Sequence, residues 1–295
     1  MKLFNFLRKS QSTDLYKVRT VQFSELSKID HSLDDIFDRN IDGLIIKNIF
    51  QRSEIDTMIE RLRLKDVDHM DQLENGLFTY PEPNFKVNRD HPTPEARKEY
   101  FLHRRIFWKN IEERIGFDII QHITALLQRI SAHKTVSPCP GIDFNGHCNP
   151  LIFRTYPVGM GGLTVHCENQ VYSNYSSYFG HLSSMTDMMD LISYVAILDP
   201  CELGGSLVLY DIEWKHAQVK VHNGKLASES GEEFDLAKDR KIRKQKIKLE
   251  AGDLVIFAAG QIWHKVDEIE GNKPRVTLGG FISKALNKDQ FYIWS

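Results

Sequence analysis

The sequence predicts an α+β protein, with a mostly helical N-terminal part, residues 1–135, packed on an all-β part, residues 136–295, in a single domain. Three observations carry this. Segments of the first part place apolar residues at helical spacing. After Pro140 the chain changes to short strand-like runs separated by turn residues, and no strong helix stands between most of those runs. A parallel sheet needs such crossover helices, so the second part is an antiparallel sandwich or barrel. At 295 residues and 41% hydrophobic composition the chain can bury a substantial core.

In chain order, Phe23 to Arg39 and Ser53 to Leu64 carry helix-like spacing, and Ser53 with Asp56 resembles an N-terminal cap. Between them “DGLIIKNI”, Asp42 to Ile49, reads as a strand entered through a glycine turn. Pro81, Pro83, Pro92 and Pro94 mark a loop, after which helices are expected from about Thr93 to Lys109 and from about Asp118 to His133. The strands of the second part are “PLIFRTY”, “GLTVHCE”, “ISYVAIL”, “GGSLVLYDI”, “AQVKV”, “QKIKLE”, “GDLVIF” and “RVTLGGFI”. The aromatic and polar stretch Asn169 to His181 reads as a loop, and the basic run Lys238 to Lys248 as a solvated strand edge that discourages aggregation.

A formal charge of −2 and a pI near 6.6 give no reason to expect nucleic acid or an anionic membrane as partner. Cys139, Cys148, Cys167 and Cys201 form no CxxC spacing and are expected to be reduced. “MKLFNFLRKS” is too short an apolar run for a signal peptide, and no apolar stretch spans a bilayer, so cytoplasmic residence is the expectation.

The chemistry is concentrated in “LTVHCENQVY”, Leu163 to Tyr172. On a strand, alternation puts His166 and Glu168 on one face, where two ligands side by side can hold a metal. The spacing alone is weak, because 12 His and 40 acidic residues produce about 1.6 such pairs by chance. The chain contains two. The other, His69 with Asp71, lies in a charged segment without alternation and is assigned to a solvated face. Glu168 sits instead in an apolar strand, where an ionised carboxylate is costly unless something pairs with it.

Further on, “AGDLVIFAAGQIWHKV” leads through a Gly-Asp turn and an apolar strand to His264, and the next strand opens with Arg275 and carries Thr277 on the same face. This ordered set resembles the Fe(II)/2-oxoglutarate-dependent dioxygenases, over about Asn149 to Ser283, and “DGLIIKNIFQRSEIDTMIERL” resembles the strand and helix that commonly precede their core. The resemblance implies a double-stranded β-helix (jelly-roll, cupin-like) core. It implies Fe(II) held by His166, Glu168 and His264, with 2-oxoglutarate and O2 as cosubstrates. Arg275 would pair with the far carboxylate of 2-oxoglutarate, assisted by Thr277 and Tyr156. Two imidazoles and a carboxylate suit non-haem iron and leave positions open, whereas structural zinc is closed by four protein ligands.

The overall length and ligand spacing resemble those of the freestanding alkaloid halogenase and hydroxylase branch. Its halogenases carry Gly or Ala where this chain has Glu168, and halide fills the gap; Asp is the commonest residue there in the wider superfamily. The resemblance therefore implies hydroxylation of an unactivated C–H bond of a small molecule, a specialised metabolite or amino-acid derivative, with release of succinate and CO2. A peptide or protein hydroxylase and a non-enzymatic cupin-like binding protein are the alternatives. “RRIFWKNIEERI” around Trp108 favours a small-molecule site closed by helices.

Overall fold

The computed structural model describes residues 14–63, 71–73, 76–83, 93–160, 162–221, 225–236, 238–286 and 289–295. The N-terminal apolar run, His69 and Pro92 lie outside the described residues. The strands are β1 (Val18–Gln22), β2 (Gly43–Lys47), β3 (Asp71–Gln72), β4 (Phe78–Tyr80), β5 (Thr135–Pro138), β6 (Ile152–Tyr156), β7 (Ile192–Asp199), β8 (Leu203–Gly204) and β9 (Leu207–Glu213). They continue as β10 (Val219–Val221), β11 (Lys225–Ala227), β12 (Glu233–Asp235), β13 (Lys244–Ile247), β14 (Leu254–Phe257), β15 (Ile262–Val266), β16 (Ile269–Glu270), β17 (Arg275–Lys284) and β18 (Gln290–Trp294). The α-helices are α1 (Ser32–Phe37), α2 (Arg52–Arg63), α3 (Pro94–Lys109), α4 (Ile111–Ile115), α5 (Ile119–Arg129), α6 (Glu168–Tyr175) and α7 (Gly180–Met185).

The major sheet runs β1-β2-β14-β7-β17-β6-β4-β3, with β18 paired to β17 and β5. A minor sheet, β13-β9-β15, stands opposite it and completes the double-stranded β-helix core. The central strands of the major sheet are buried on both faces, which is why they read as continuous apolar runs. On the outer face, Leu44, Ile46, Tyr194, Ala196, Leu254 and Ile256 pack in one cluster with Ile55 and Met58 of α2 and Ile123 and Leu127 of α5. The alternate residues Ser193, Val195, Val255 and Phe257 point the other way and line an internal cavity. Burying a Leu- or Ile-sized side chain contributes roughly 1.5–3 kcal/mol, so this helix-on-sheet layer holds much of the stability.

The Gly-Asp turn before β14 has a definite job. Gly252 adopts φ of +88°, a left-handed conformation open to glycine, and donates its N–H to Ile197 O. Asp253, 1% exposed, then accepts from Lys47 Nζ at 2.5 Å and from Glu250 N–H at 2.8 Å, tying β14 to β2.

Three expectations need correction. “GLTVHCE” is not a strand: His166 makes an isolated bridge to His264, and Glu168 already begins α6. Asn169 to His181 is not a loop but α6, a 3-10 turn (Ser176–Phe179) and the start of α7. Ser53 does not cap α2, which begins at Arg52; Glu54 Oε2 accepts the Gln51 N–H instead, at 2.7 Å. Thr93 and Asp118 do cap α3 and α5 through their side chains. Part of the basic run forms β13, the edge of the minor sheet, with Arg243 and Lys246 paired to Asp211 and Asp267. No helix among the described residues is long and apolar enough to cross a membrane.

Candidate metal centre and its cavities

His166 and His264 meet because their backbones exchange two hydrogen bonds, His166 N–H to His264 O and the reverse, both 2.9 Å. Directly opposed antiparallel residues carry their side chains on the same face, so the two rings stand side by side with centroids 4.2 Å apart. Each ring is oriented by its Nδ1, 2.6 Å from Thr164 O for His166 and 2.8 Å from Ile262 O for His264. A carbonyl only accepts, so Nδ1 carries the proton and Nε2 presents a lone pair. Phe257 packs edge-on to the His264 ring at 4.9 Å and holds it further.

Glu168 joins them from the first turn of α6. Its N–H is held by Ala259 O at 3.1 Å, and the flanking residues anchor the same corner: Cys167 Sγ–H to Gly260 O, and Asn169 in a paired contact with Asp190. The carboxylate lies 3.6 Å from His166 Nε2. A ligand atom of each of the three residues lies within 4.8 Å of those of the other two.

Burial controls the charges here. It pushes Glu168 up to about 7, with Arg154 acting in the opposite sense. It pushes His166 down to about 4 and His264 well below its ordinary value, the neighbouring His166 adding to the effect on His264. Two neutral imidazoles with lone pairs and a carboxylate in one small space fit a divalent cation, which would satisfy all three.

A carboxyl raised in the folded state stabilises the fold below its unfolded value and loses that contribution as pH rises through about 7. Glu168→Gln removes the uncompensated charge. Metal-free Glu168→Gln is therefore expected to exceed the metal-free wild type in stability by about 2–3 kcal/mol near pH 8, with the two converging towards pH 4. Urea unfolding with chelator at both pH values checks this; a pH-independent difference would place Glu168 in contact with water.

Behind the triad, an inner cavity of about 110 Å³ is lined by His166, Glu168, His264, Tyr156 and Arg275. Arg275 is 4% exposed, its guanidinium lies 5.2 Å over the Tyr156 ring, and its Nη1 is buried without a hydrogen-bond partner. Burial pushes its pKa down, while Tyr156 opposes the shift. Thr277 is fully buried, two residues along β17, and its Oγ1 also has no partner. A buried guanidinium nitrogen and a buried hydroxyl without partners call for an acceptor.

In front of the triad, an outer cavity of about 380 Å³ is walled mainly by Leu77, Ile152, Tyr172, Phe179, Met188, Leu191, Phe281 and Trp294. His166, Glu168, Arg154 and Phe281 border both cavities. The structure places His166, Glu168, His264, Tyr156 and Arg275 around the inner cavity; Thr277, buried on β17 as the register partner of Arg154, is not among its lining residues. Arg154 was missed, although alternation in “PLIFRTY” puts it on the face of Tyr156.

Residues 15–295 match the profile of a family described as the carrier-protein-independent halogenase WelO5. No curated protein matches the chain. Among solved structures it is similar to the non-heme alpha ketoglutarate dependent epimerase SnoN from nogalamycin biosynthesis, at 12% identity over 85% of each chain, TM-score 0.45. It is similar also to an N-substituted L-amino acid dioxygenase from Burkholderia ambifaria AMMD, at 11% identity over 90% of this chain and 91% of that one, TM-score 0.47. A Pseudomonas putida prolyl-4-hydroxylase matches at 12% identity over 88% and 99%, TM-score 0.39.

Proposed function

The chain belongs to the WelO5 carrier-protein-independent halogenase family, within the Fe(II)/2-oxoglutarate-dependent oxygenases, and from that premise we propose that it hydroxylates an unactivated C–H bond of a small molecule rather than halogenating it. Its cofactors are Fe(II), 2-oxoglutarate and O2. Together these supply the oxidising power to insert one oxygen atom into a C–H bond, the other leaving in succinate as 2-oxoglutarate loses CO2.

The observation that carries the choice of reaction is Glu168. Its carboxylate lies among the two histidines, at the place where halogenases of the branch carry Gly or Ala, so the halide has no room. His166, Glu168 and His264 hold the iron, each oriented by contact with a backbone carbonyl, of Thr164, Ala259 and Ile262 respectively. Arg275 receives the far carboxylate of 2-oxoglutarate in the inner cavity, with Tyr156 and Thr277 beside it; the planar guanidinium fork matches a carboxylate in two places. Val195, Val255 and Phe257 keep water from that end.

The outer cavity supports a small molecule as substrate, since about 380 Å³ is the size of ordinary ligand pockets and α6 with the following turn lies across it. A peptide would need an open groove. Native enzyme given iron, 2-oxoglutarate and a family of apolar polycyclic substrates, in excess chloride or bromide, is expected to yield products heavier by one oxygen and none bearing halogen. Glu168→Gly is expected to gain halide binding, seen as halide-dependent changes in the spectrum of the iron-loaded protein. Halogenated product from the unmodified enzyme, read by mass spectrometry, would remove Glu168 from the metal.

A further inference from the structure

Arg154 sits near the middle of β6, its register partners Thr277 on β17 and Thr79 on β4. It borders both the inner and the outer cavity, and among the described residues lining the outer one it is the single Lys or Arg. Its Nη2 donates to Ser295 Oγ at 3.2 Å, and among the described residues no carboxylate pairs with it. Space for it is built into the neighbouring strand: a Cβ at Gly279 would lie 3.3 Å from Arg154 Nη1 and 2.3 Å from Tyr194 O. Its charge is felt at His166, Glu168, Tyr194 and Arg275. Arg154 is half-buried, and an arginine that faces a mainly apolar cavity and, among the described residues, is bonded only to a hydroxyl keeps donors free for an anion entering that cavity.

We propose that Arg154 receives a carboxylate at the junction of the two cavities, making the site a receptor for two anionic groups, one at Arg275 and one at Arg154. The second carboxylate belongs either to the near end of 2-oxoglutarate or to an apolar substrate reaching inward from the outer cavity. The triad separates Arg154 from neither, since His166 and Glu168 border the same two spaces. This rests on the assignment of Arg275 and the triad above. A carboxylate there would be gripped by a fork of donors and flanked by aromatic rings, so the substrate class it selects is an aromatic or polycyclic acid in preference to the neutral amide.

The test uses full-length protein loaded with Mn(II) in place of iron, wild type against Arg154→Gln and Arg154→Lys. In one arm, 2-oxoglutarate binding is measured by calorimetry. In the other, protein saturated with 2-oxoglutarate is titrated with naphthaleneacetate and with naphthaleneacetamide. A loss of tenfold or more in 2-oxoglutarate affinity for Arg154→Gln, partly restored in Arg154→Lys, assigns the carboxylate to the cosubstrate. Unchanged 2-oxoglutarate affinity with a tenfold loss for the acid and none for the amide assigns it to the substrate. Where the Gln variant fails to fold, Arg154→Met, which suits the apolar wall, takes its place. If a folded variant changes both affinities by less than twofold, Arg154 only braces Ser295 and the proposal falls. Failure of the wild type itself to bind 2-oxoglutarate would instead overturn the function assigned to Arg275 and the triad.

Discussion

His264→Ala is expected to abolish 2-oxoglutarate-dependent turnover and metal binding while the protein stays folded, and His166→Ala to do the same. Each removes one of three side chains whose ligand atoms converge within 4.8 Å, and no further His, Cys, Asp or Glu joins that group among the described residues. Two remaining ligands, one of them the buried Glu168, hold a divalent ion far more weakly; losing even a supporting partner of a ligand commonly costs 10- to 100-fold in metal affinity. Folding survives because the backbone bridge between residues 166 and 264 uses main-chain atoms only. The Nδ1 contacts that are lost go to carbonyls within two residues in sequence. Metal content by elemental analysis, circular dichroism and succinate release check the three parts. Either variant turning over at the wild-type rate with full iron content would show that the histidines pair for structural reasons alone.

Arg275→Ala is expected to weaken 2-oxoglutarate binding by roughly two orders of magnitude and to leave metal affinity nearly unchanged. The guanidinium is buried, its Nη1 is unpartnered, and no carboxylate among the described residues forms an ion pair with it. A charge-assisted pair formed in such a desolvated place contributes about 2–5 kcal/mol when one partner is truncated, and every 1.4 kcal/mol is about tenfold in affinity. Arg275→Lys is expected to recover only part of the loss, because an ammonium is a point charge without the planar fork. Calorimetric titration of metal-loaded protein with 2-oxoglutarate reads the effect directly. Unchanged affinity in Arg275→Ala would mean that the inner cavity holds something other than the far carboxylate.

The segment on which the chemistry turns is also the one where local sequence misleads most. “LTVHCENQVY” alternates like a strand, yet the backbone turns into a helix at Glu168. Little local demands this: α6 has no side-chain cap, and Asn169, Val171, Tyr172, Ser173, Asn174 and Tyr175 are middling helix formers. The corner is imposed from outside, by Ala259 and Gly260 on the approach to β15 and by Asp190 ahead of β7, which take the hydrogen bonds of Glu168, Cys167 and Asn169. Those partners are 21 or more residues away in sequence, beyond any local pattern. Arg154 escaped notice for a related reason. Strand alternation places it, but an arginine at such a position is ordinarily a surface residue until the second sheet is seen to enclose it.

What the sequence determined by itself is the chemistry of the donors and the faces of the strands. His166, Glu168, His264 and Arg275 are side chains whose presence in apolar runs demands a partner, and the period-two alternation of “ISYVAIL”, “GDLVIF” and “RVTLGGFI” assigns each residue to one side of a sheet. Only the tertiary structure decided that these faces enclose two cavities sharing one wall, that the two histidines are register partners, and that Glu168 enters from a helix. Those facts depend on hydrogen bonds and packing between segments far apart in sequence, such as His166 with His264 and Arg154 with Thr277, and such pairings carry no signal in local periodicity because each strand offers the same donors and acceptors to any neighbour.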